Sequence, residues 1–244
     1  LMKAHPLKVI HIDEHIIVCE KPSGLLSIPD RFDQEKPNLY HLLEAQYGQV
    51  WIVHRIDRET SGILVFARNE DAHRALNQQF LDRTVEKIYL ALVEGRPMPP
   101  TGEINKAIAP HPSIAGKMIT SGKGKSALTL YKVVDTYKAY ALVEADIKTG
   151  RTHQIRVHFA SIGHPLAVDP VYGKRAAFFL SEIKTHRFNL KKDQDEEQAL
   201  VSRLTLHAHK LTLDHPATGE RMAFTCELPK DFRALLSQLD KWGR

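Results

Sequence analysis

The sequence predicts an α+β fold, with a central, mostly antiparallel mixed sheet and peripheral helices. Three observations carry this. Short apolar or alternating runs of strand length recur along the chain. Helical spacing is confined to four short segments, at 39–47, 70–82, 152–162 and 232–239. The two kinds of element do not alternate regularly, so a βαβ parallel sheet is not expected.

Taken in order, residues 9–20 alternate apolar and polar and form a hairpin turning at Asp13-Glu14. Lys21-Pro22-Ser23-Gly24 then breaks the pattern, and 39–47 is a short helix. Residues 62–67 are a buried strand. Residues 70–82 place Ala72, Ala75, Leu76 and Phe80 on one helical face, with acids in the first turn to suit the dipole. Residues 87–94 alternate as a strand. After a turn-rich break at 97–101 come a strand near 103–108 and a Gly/Lys-rich loop at 116–125. Residues 127–147 are two antiparallel strands joined near 136–138. Helix 152–162 carries Ile155, Phe159 and Ile162 on one face. Residues 174–203 are charged and irregular, with 191–197 a solvated loop. A last hairpin (204–213 and 221–227) turns at 216–219, and an amphipathic helix closes the chain. With no repeat and no clear linker, all 244 residues are expected to form a single domain.

Composition narrows the function classes only modestly. The chain is 43% apolar and 26% charged, ordinary for a globular protein, and its net charge of +5 favours a polyanionic partner. Cys19 and Cys226 are the two cysteines, too few for a disulfide framework or a zinc set. A reducing, cytoplasmic compartment is expected. No apolar run approaches the roughly 18 residues that span a bilayer, and the start has no apolar core of a signal peptide.

The densest cluster is residues 54–62, HRIDRETSG, where Asp57 lies among His54, Arg55 and Arg58 just before an apolar strand. Nearby cations would keep such a carboxylate ionised. A surface salt-bridge turn is the plainer reading, and the residues alone weigh the two about evenly. A second cluster, 148–158 (KTGRTHQIRVH), puts Arg151 at the start of a helix, where free amides attract anions; its plainer reading is a helix with a basic outer face. His153 and His158 are five apart and do not form a helical metal pair. Tyr89 in the 87–95 strand suits base stacking or proton transfer, or simply the core. Gly124-Lys125-Ser126 ends like a phosphate-binding loop, but Ile119 occupies the position of its required first glycine. His207 and His209 share a strand face without a completing ligand, so no metal is expected.

Together these segments resemble the RluA-type pseudouridine synthases. Residues 54–67 are similar to that family's HRLDxxTSGxxxxA segment, with Ile56 in place of leucine; Arg68 follows in place of the usual lysine. Residues 87–95 are similar to its KxYxAxVxG strand, and 149–173 (TGRTHQIRVHFASIGHPLAVDPVYG) to its long Arg-containing block, with Val168 in place of a glycine. Residues 206–219 and the 21–25 KPSGL turn complete a match over nearly the whole chain.

The resemblance implies an RNA-modifying catalytic domain that isomerises specific uridines in ribosomal or transfer RNA, with no cofactor. Asp57 would be the catalytic aspartate. Arg151 would pair with it, Tyr89 would stack near the target uracil, and Arg55 would enter the RNA helix where the flipped nucleotide leaves. Arg58, Lys117, Lys123, Lys125 and Arg156 would meet the RNA backbone. Asp57 would either attack C1′ or remove the 2′ proton, and the sequence leaves both open. Too little sequence precedes residue 9 for the S4-like module of many relatives, so substrate choice is expected in 28–50 and 174–203, or in a partner. A monomer away from membranes is expected. The rival classes are an inactive RNA-binding descendant and a metal-dependent nuclease; the intact set of Asp57, Tyr89 and Arg151 argues against the first, and the second needs clustered carboxylates.

Overall fold

A computed structural model of the chain describes residues 7–184 and 196–244. In chain order its elements are β1 (Lys8–Ile12), β2 (Ile16–Lys21), α1 (Leu39–Tyr47), β3 (Trp51–Ile52), β4 (Ser61–Ala67), α2 (Glu70–Asp82) and β5 (Glu86–Glu94). There follow β6 (Thr101–Asn105), β7 (Ile108–Pro110), β8 (Met118–Thr120), β9 (Leu128–Thr136), β10 (Tyr140–Ile147) and α3 (Gln154–Ser161). The last are β11 (Leu206–Asp214), β12 (Arg221–Thr225) and α4 (Lys230–Trp242). The fold is α+β with a mixed sheet, as the sequence predicts.

The described chain forms two compact units. One holds the described residues up to Ile88 together with His207–Glu227; the other holds those of Tyr89–Leu206 and Leu228–Arg244. In the first unit, β1 and β2 are the expected hairpin, and β2 pairs antiparallel with β4, Ile17 opposite Phe66 and Cys19 opposite Leu64. β4 is buried from end to end and reads as a continuous apolar run; β2 is buried except at Glu20, so the alternation expected over 9–20 does not extend through it. β11 lies parallel to β4, with Ser61 opposite His207 and Gly62 opposite Ala208, and pairs antiparallel with β12. Helices α1 and α2 start where Asn38 and Asn69 cap them, each side chain accepting a backbone N–H from the first turn at 2.9 Å. α2 ends at Arg83, whose left-handed backbone (φ 60) stops the helix.

In the second unit β5, β10, β9 and β6 are neighbours in that order. Its core gathers Leu90, Leu92, Tyr140 and Leu142 from the strands with Phe232, Leu235 and Leu239 from α4, the i, i+3, i+7 spacing of one helix face. Phe178 is fully buried in this core and its backbone pairs with Val201, so part of the 174–203 segment is packed structure. Residues 191–195 of the expected solvated loop lie outside the described residues. Two expectations need correcting here. The strand near 103–108 is two strands, β6 and β7, parted at Lys106-Ala107. The Gly/Lys-rich loop contains β8, which pairs antiparallel with β7.

Candidate active site

In the first unit the chain before β4 is built around Asp57. Asp57 is half-buried, Ile56 is buried beneath it, and Arg55 and Arg58 on either side are exposed. The Asp57 carbonyl accepts the Thr60 amide at 3.1 Å, which closes the turn. The loop is stitched to the 21–27 segment at several points. Ser27 Oγ donates to the Ile56 carbonyl at 2.8 Å and accepts the Ile56 amide at 3.2 Å. Ser23 Oγ donates to the Glu59 carbonyl at 2.6 Å, and Arg58 Nε donates to the Gly24 carbonyl at 3.0 Å.

Lys21 is the centre of this stitching. Its side chain is fully buried, and its Nζ donates to the carbonyls of Pro22 (2.9 Å), Leu25 (2.7 Å) and Arg58 (2.8 Å). Burial pulls the ammonium pKa down to about 7, opposed by the Glu59 and Asp57 carboxylates and aided by Arg58. Sequence reasoning saw 21–25 only as a turn. The signal it lacked was that a lysine ending an apolar strand, just before Pro-x-Gly, faces free carbonyls of a loop rather than solvent.

His54 has a different part from the one its neighbours suggest. Its Nε2 accepts the Val65 amide at 3.1 Å, and its ring stacks on Phe80 with centroids 4.7 Å apart. Burial, with the Lys87 cation nearby, lowers its pKa to about 3. His54 is therefore a neutral packing group and not one of the cations around Asp57. Gly62 explains the Ser-Gly entry to β4. Its φ is +124°, and a Cβ there would lie 2.2 Å from the Ala208 carbonyl oxygen, so only glycine lets β4 lie this close to β11.

The second unit carries Tyr89 and Arg151. Tyr89 is buried on β5, 9% exposed. Arg151 sits on the turn before α3, half-buried, with Nε donating to the Ser126 carbonyl at 3.0 Å. Gln154 fixes that turn. Its Oε1 accepts the Thr149 hydroxyl (2.7 Å) and the Arg151 amide (3.1 Å), while its Nε2 donates to Leu128 O and Thr129 Oγ1, both at 3.0 Å. Lys123, Lys125 and Arg151 come together as lining of a cavity of about 410 Å³ that also includes Met118 and Thr152 and contains no carboxylate. Gly124 is required there, since a Cβ would fall 2.4 Å from the Ile108 carbonyl carbon. The Gly-Lys-Ser sequence thus belongs to a close-packed basic hairpin.

Arg156 is not a surface cation. It is 5% exposed, and its Nε and Nη2 form a bidentate pair with the fully buried Asp169 at 2.7 and 2.9 Å. Its guanidinium also lies 4.9 Å from the Tyr172 ring centroid. This corrects the expectation that Arg156 contacts RNA: its donors are committed inside the protein. The basic outer face considered for α3 is corrected with it, because Gln154 through Phe159 are all buried. His158, among them, has its pKa lowered by burial and bonds Thr129 Oγ1 and the Lys106 carbonyl, each at 2.9 Å. On β11, His207 bonds Ser61 Oγ at 2.9 Å and both His207 and His209 bond the Cys226 carbonyl. No group of three or more His, Cys, Asp or Glu among the described residues is placed to hold a metal ion.

Comparison with known proteins places these residues in context. The profile of the RNA pseudouridylate synthases matches residues 15–161, a stretch containing Asp57, Tyr89 and Arg151. The chain is 37% identical to "Ribosomal large subunit pseudouridine synthase D" of Nitrosomonas europaea, over 97% of this chain and 66% of that protein. It is 36% identical to "Dual-specificity RNA pseudouridine synthase RluA" of Escherichia coli K12, over 93% of this chain and 94% of that one. The chain thus spans a little under two thirds of the former relative and nearly the whole of the latter. Among solved structures, "Human RNA Pseudouridylate Synthase Domain Containing 4" superposes with a TM-score of 0.73 at 28% identity, covering 96% of this chain and 93% of that one.

Proposed function

The chain belongs to the RluA-type RNA pseudouridylate synthases, and on that premise we propose that it isomerises specific uridines to pseudouridine in structured ribosomal or transfer RNA, with Asp57 as the catalytic group. The observation that carries this is the family match over residues 15–161, a range within which Asp57, Tyr89 and Arg151 fall. The names of the relatives favour ribosomal RNA of the large subunit as the first substrate to try.

The reaction breaks the N1–C1′ bond of uridine, rotates the ring and forms C5–C1′; the C5 proton leaves and N1 gains one. It is redox-neutral and needs no external group. Asp57 either bonds C1′ and is later displaced by C5, or removes the 2′ proton to give a glycal that is reprotonated. Its half-buried position on a braced turn suits either role, because a reacting carboxylate must be held rather than tethered loosely. Tyr89 stacks beside the uracil and Arg151 is the cationic partner of the carboxylate. The base must leave its stack, and the exposed Arg55 fills the vacated place. Arg58, Lys117, Lys123 and Lys125 meet the phosphates, and binding weakens with salt accordingly. The enzyme works in the cytoplasm, in keeping with two free, buried cysteines, and acts as a monomer.

The test uses Asp57→Asn. Transcripts of large-subunit ribosomal RNA and of transfer RNA, labelled with tritium at uridine C5, release the label when pseudouridine forms. The unaltered protein should release it. Asp57→Asn should bind the RNA within a few-fold of normal and release label at least about 10³-fold more slowly, the scale on which loss of an essential catalytic group is felt. Turnover by Asp57→Asn at an ordinary rate would remove Asp57 from the chemistry. RNA binding without label release by the unaltered protein would favour the non-catalytic binding descendant.

A further inference from the structure

Tyr172 has no part in the chemistry just described, yet it lies where two segments of the second unit meet. Its hydroxyl accepts the Met118 amide of β8 at 2.8 Å and stands 2.8 Å from His153 Nδ1. A phenol has one proton and two lone pairs, so it accepts the Met118 amide and still pairs with the imidazole nitrogen, the direction of that bond set by the His153 tautomer. The ring is mounted rigidly. The Arg156 guanidinium lies 4.9 Å from its centroid on the Arg156–Asp169 pair, and Asp169 Oδ1 accepts the amides of Val171 (2.9 Å) and Tyr172 (3.1 Å). Lys117 Nζ lies 5.8 Å from the same centroid.

The two segments joined in this way are the walls of the basic cavity. One is the β7–β8 hairpin with the lysines that follow it. The other is the turn of Arg151, which ends at His153 in a left-handed backbone conformation (φ 56). A non-glycine residue held there is unfavourable by roughly 1–2 kcal/mol, and the bond from Tyr172 helps to hold it. Lys123 and Lys125 keep their places beside Arg151 only while both walls hold.

We infer that Tyr172 is a positioning residue: its hydroxyl latches the β7–β8 hairpin to the turn bearing Arg151 and so sets the RNA-phosphate grip of Lys125 and its neighbours. This rests on the RNA reading above and adds to it a residue that touches neither substrate nor reacting atoms. Gln154 holds the turn of Arg151 by itself, so loss of the latch frees the hairpin: it should appear in KM and in the response to Lys125, and leave kcat alone.

The experiment measures affinity for a large-subunit ribosomal RNA transcript, and kcat and KM by tritium release, in the unaltered protein, Tyr172→Phe, Lys125→Ala and the double variant. Phenylalanine keeps the ring on its mount. Tyr172→Phe should weaken RNA binding and raise KM about tenfold, the size of one or two net hydrogen bonds, with kcat within about twofold. Lys125→Ala should lose clearly less affinity in the Tyr172→Phe background than alone. Independent effects that multiply, or a lowered kcat at unchanged KM, would overturn the latch while leaving the RNA reading intact. A Lys125→Ala variant that binds RNA normally would overturn both. Should Tyr172→Phe fail to fold, His153→Gly carries the same cycle, since glycine tolerates the left-handed backbone and has no side chain to bond the phenol.

Discussion

Replacing Lys21 with methionine removes the donor shared by the Arg58 carbonyl of the Asp57 loop and two carbonyls of the adjoining 21–27 segment. The side chain is fully buried, and its bonds to Pro22, Leu25 and Arg58 are 2.7–2.9 Å long. Orphaning a buried acceptor costs about 1–3 kcal/mol. The Arg58 carbonyl keeps the Gly24 amide at 2.9 Å, so the loss falls on Pro22 and Leu25. Two such losses, offset by no longer burying an ammonium, leave a net destabilisation of about 3 kcal/mol. The pH dependence is a sharper check. The folded pKa of about 7 lies below the ordinary 10.5, so between these values the unfolded chain binds more protons and the stability contributed by Lys21 rises with pH. Methionine has no such term. Urea unfolding at pH 7 and pH 9 should therefore show a larger gap between the two proteins at pH 9. A gap below about 1 kcal/mol at both values, or one that narrows as pH rises, would refute the reasoning, since neither fits a buried lysine bracing the loop.

Two further outcomes are expected. Gly62→Ala should cost more than about 4 kcal/mol and yield little folded protein, because both its positive φ and the 2.2 Å approach to Ala208 act against a side chain; Gly150→Ala, with nothing within 4 Å, should stay within about 1 kcal/mol in the same unfolding assay. His54, with a folded pKa of about 3 against an ordinary 6.5, contributes stability that is complete above 6.5 and is lost as pH falls toward 3. His54→Gln, whose amide oxygen can still accept the Val65 N–H, should lose less stability than the unaltered protein between pH 7 and pH 4.5, and equal losses would rule out a buried neutral histidine.

The fold was largely legible because its local signals agree. Asn38 and Asn69 cap helices whose apolar spacing also marks them, and β4 reads as a continuous apolar run because both faces are covered. β8 was not legible. It is three residues long and held by the Tyr172 hydroxyl and β7, partners far away in the sequence. The basic character of the 116–125 loop is legible, but its meeting with Arg151 and the burial of Arg156 are not. Charge alone places an arginine outside, and only the distant Asp169 draws it in. His54 and Lys21 fail the sequence reading in the same way: each is polar by type and internal by virtue of a partner that no local pattern reveals.

The parallel seam of β4 with β11 has a consequence for how the protein is made. Ser61 and His207, which bond across it, are 146 residues apart. The Asp57 turn runs straight into β4, so on a ribosome that turn waits while the 146 residues to His207 are synthesised before its strand acquires this neighbour. Contacts so distant in sequence form slowly, because a long loop must close first. The nascent chain therefore carries the Asp57 turn without the finished support beneath it, and the first unit is completed only when β11 and β12 follow.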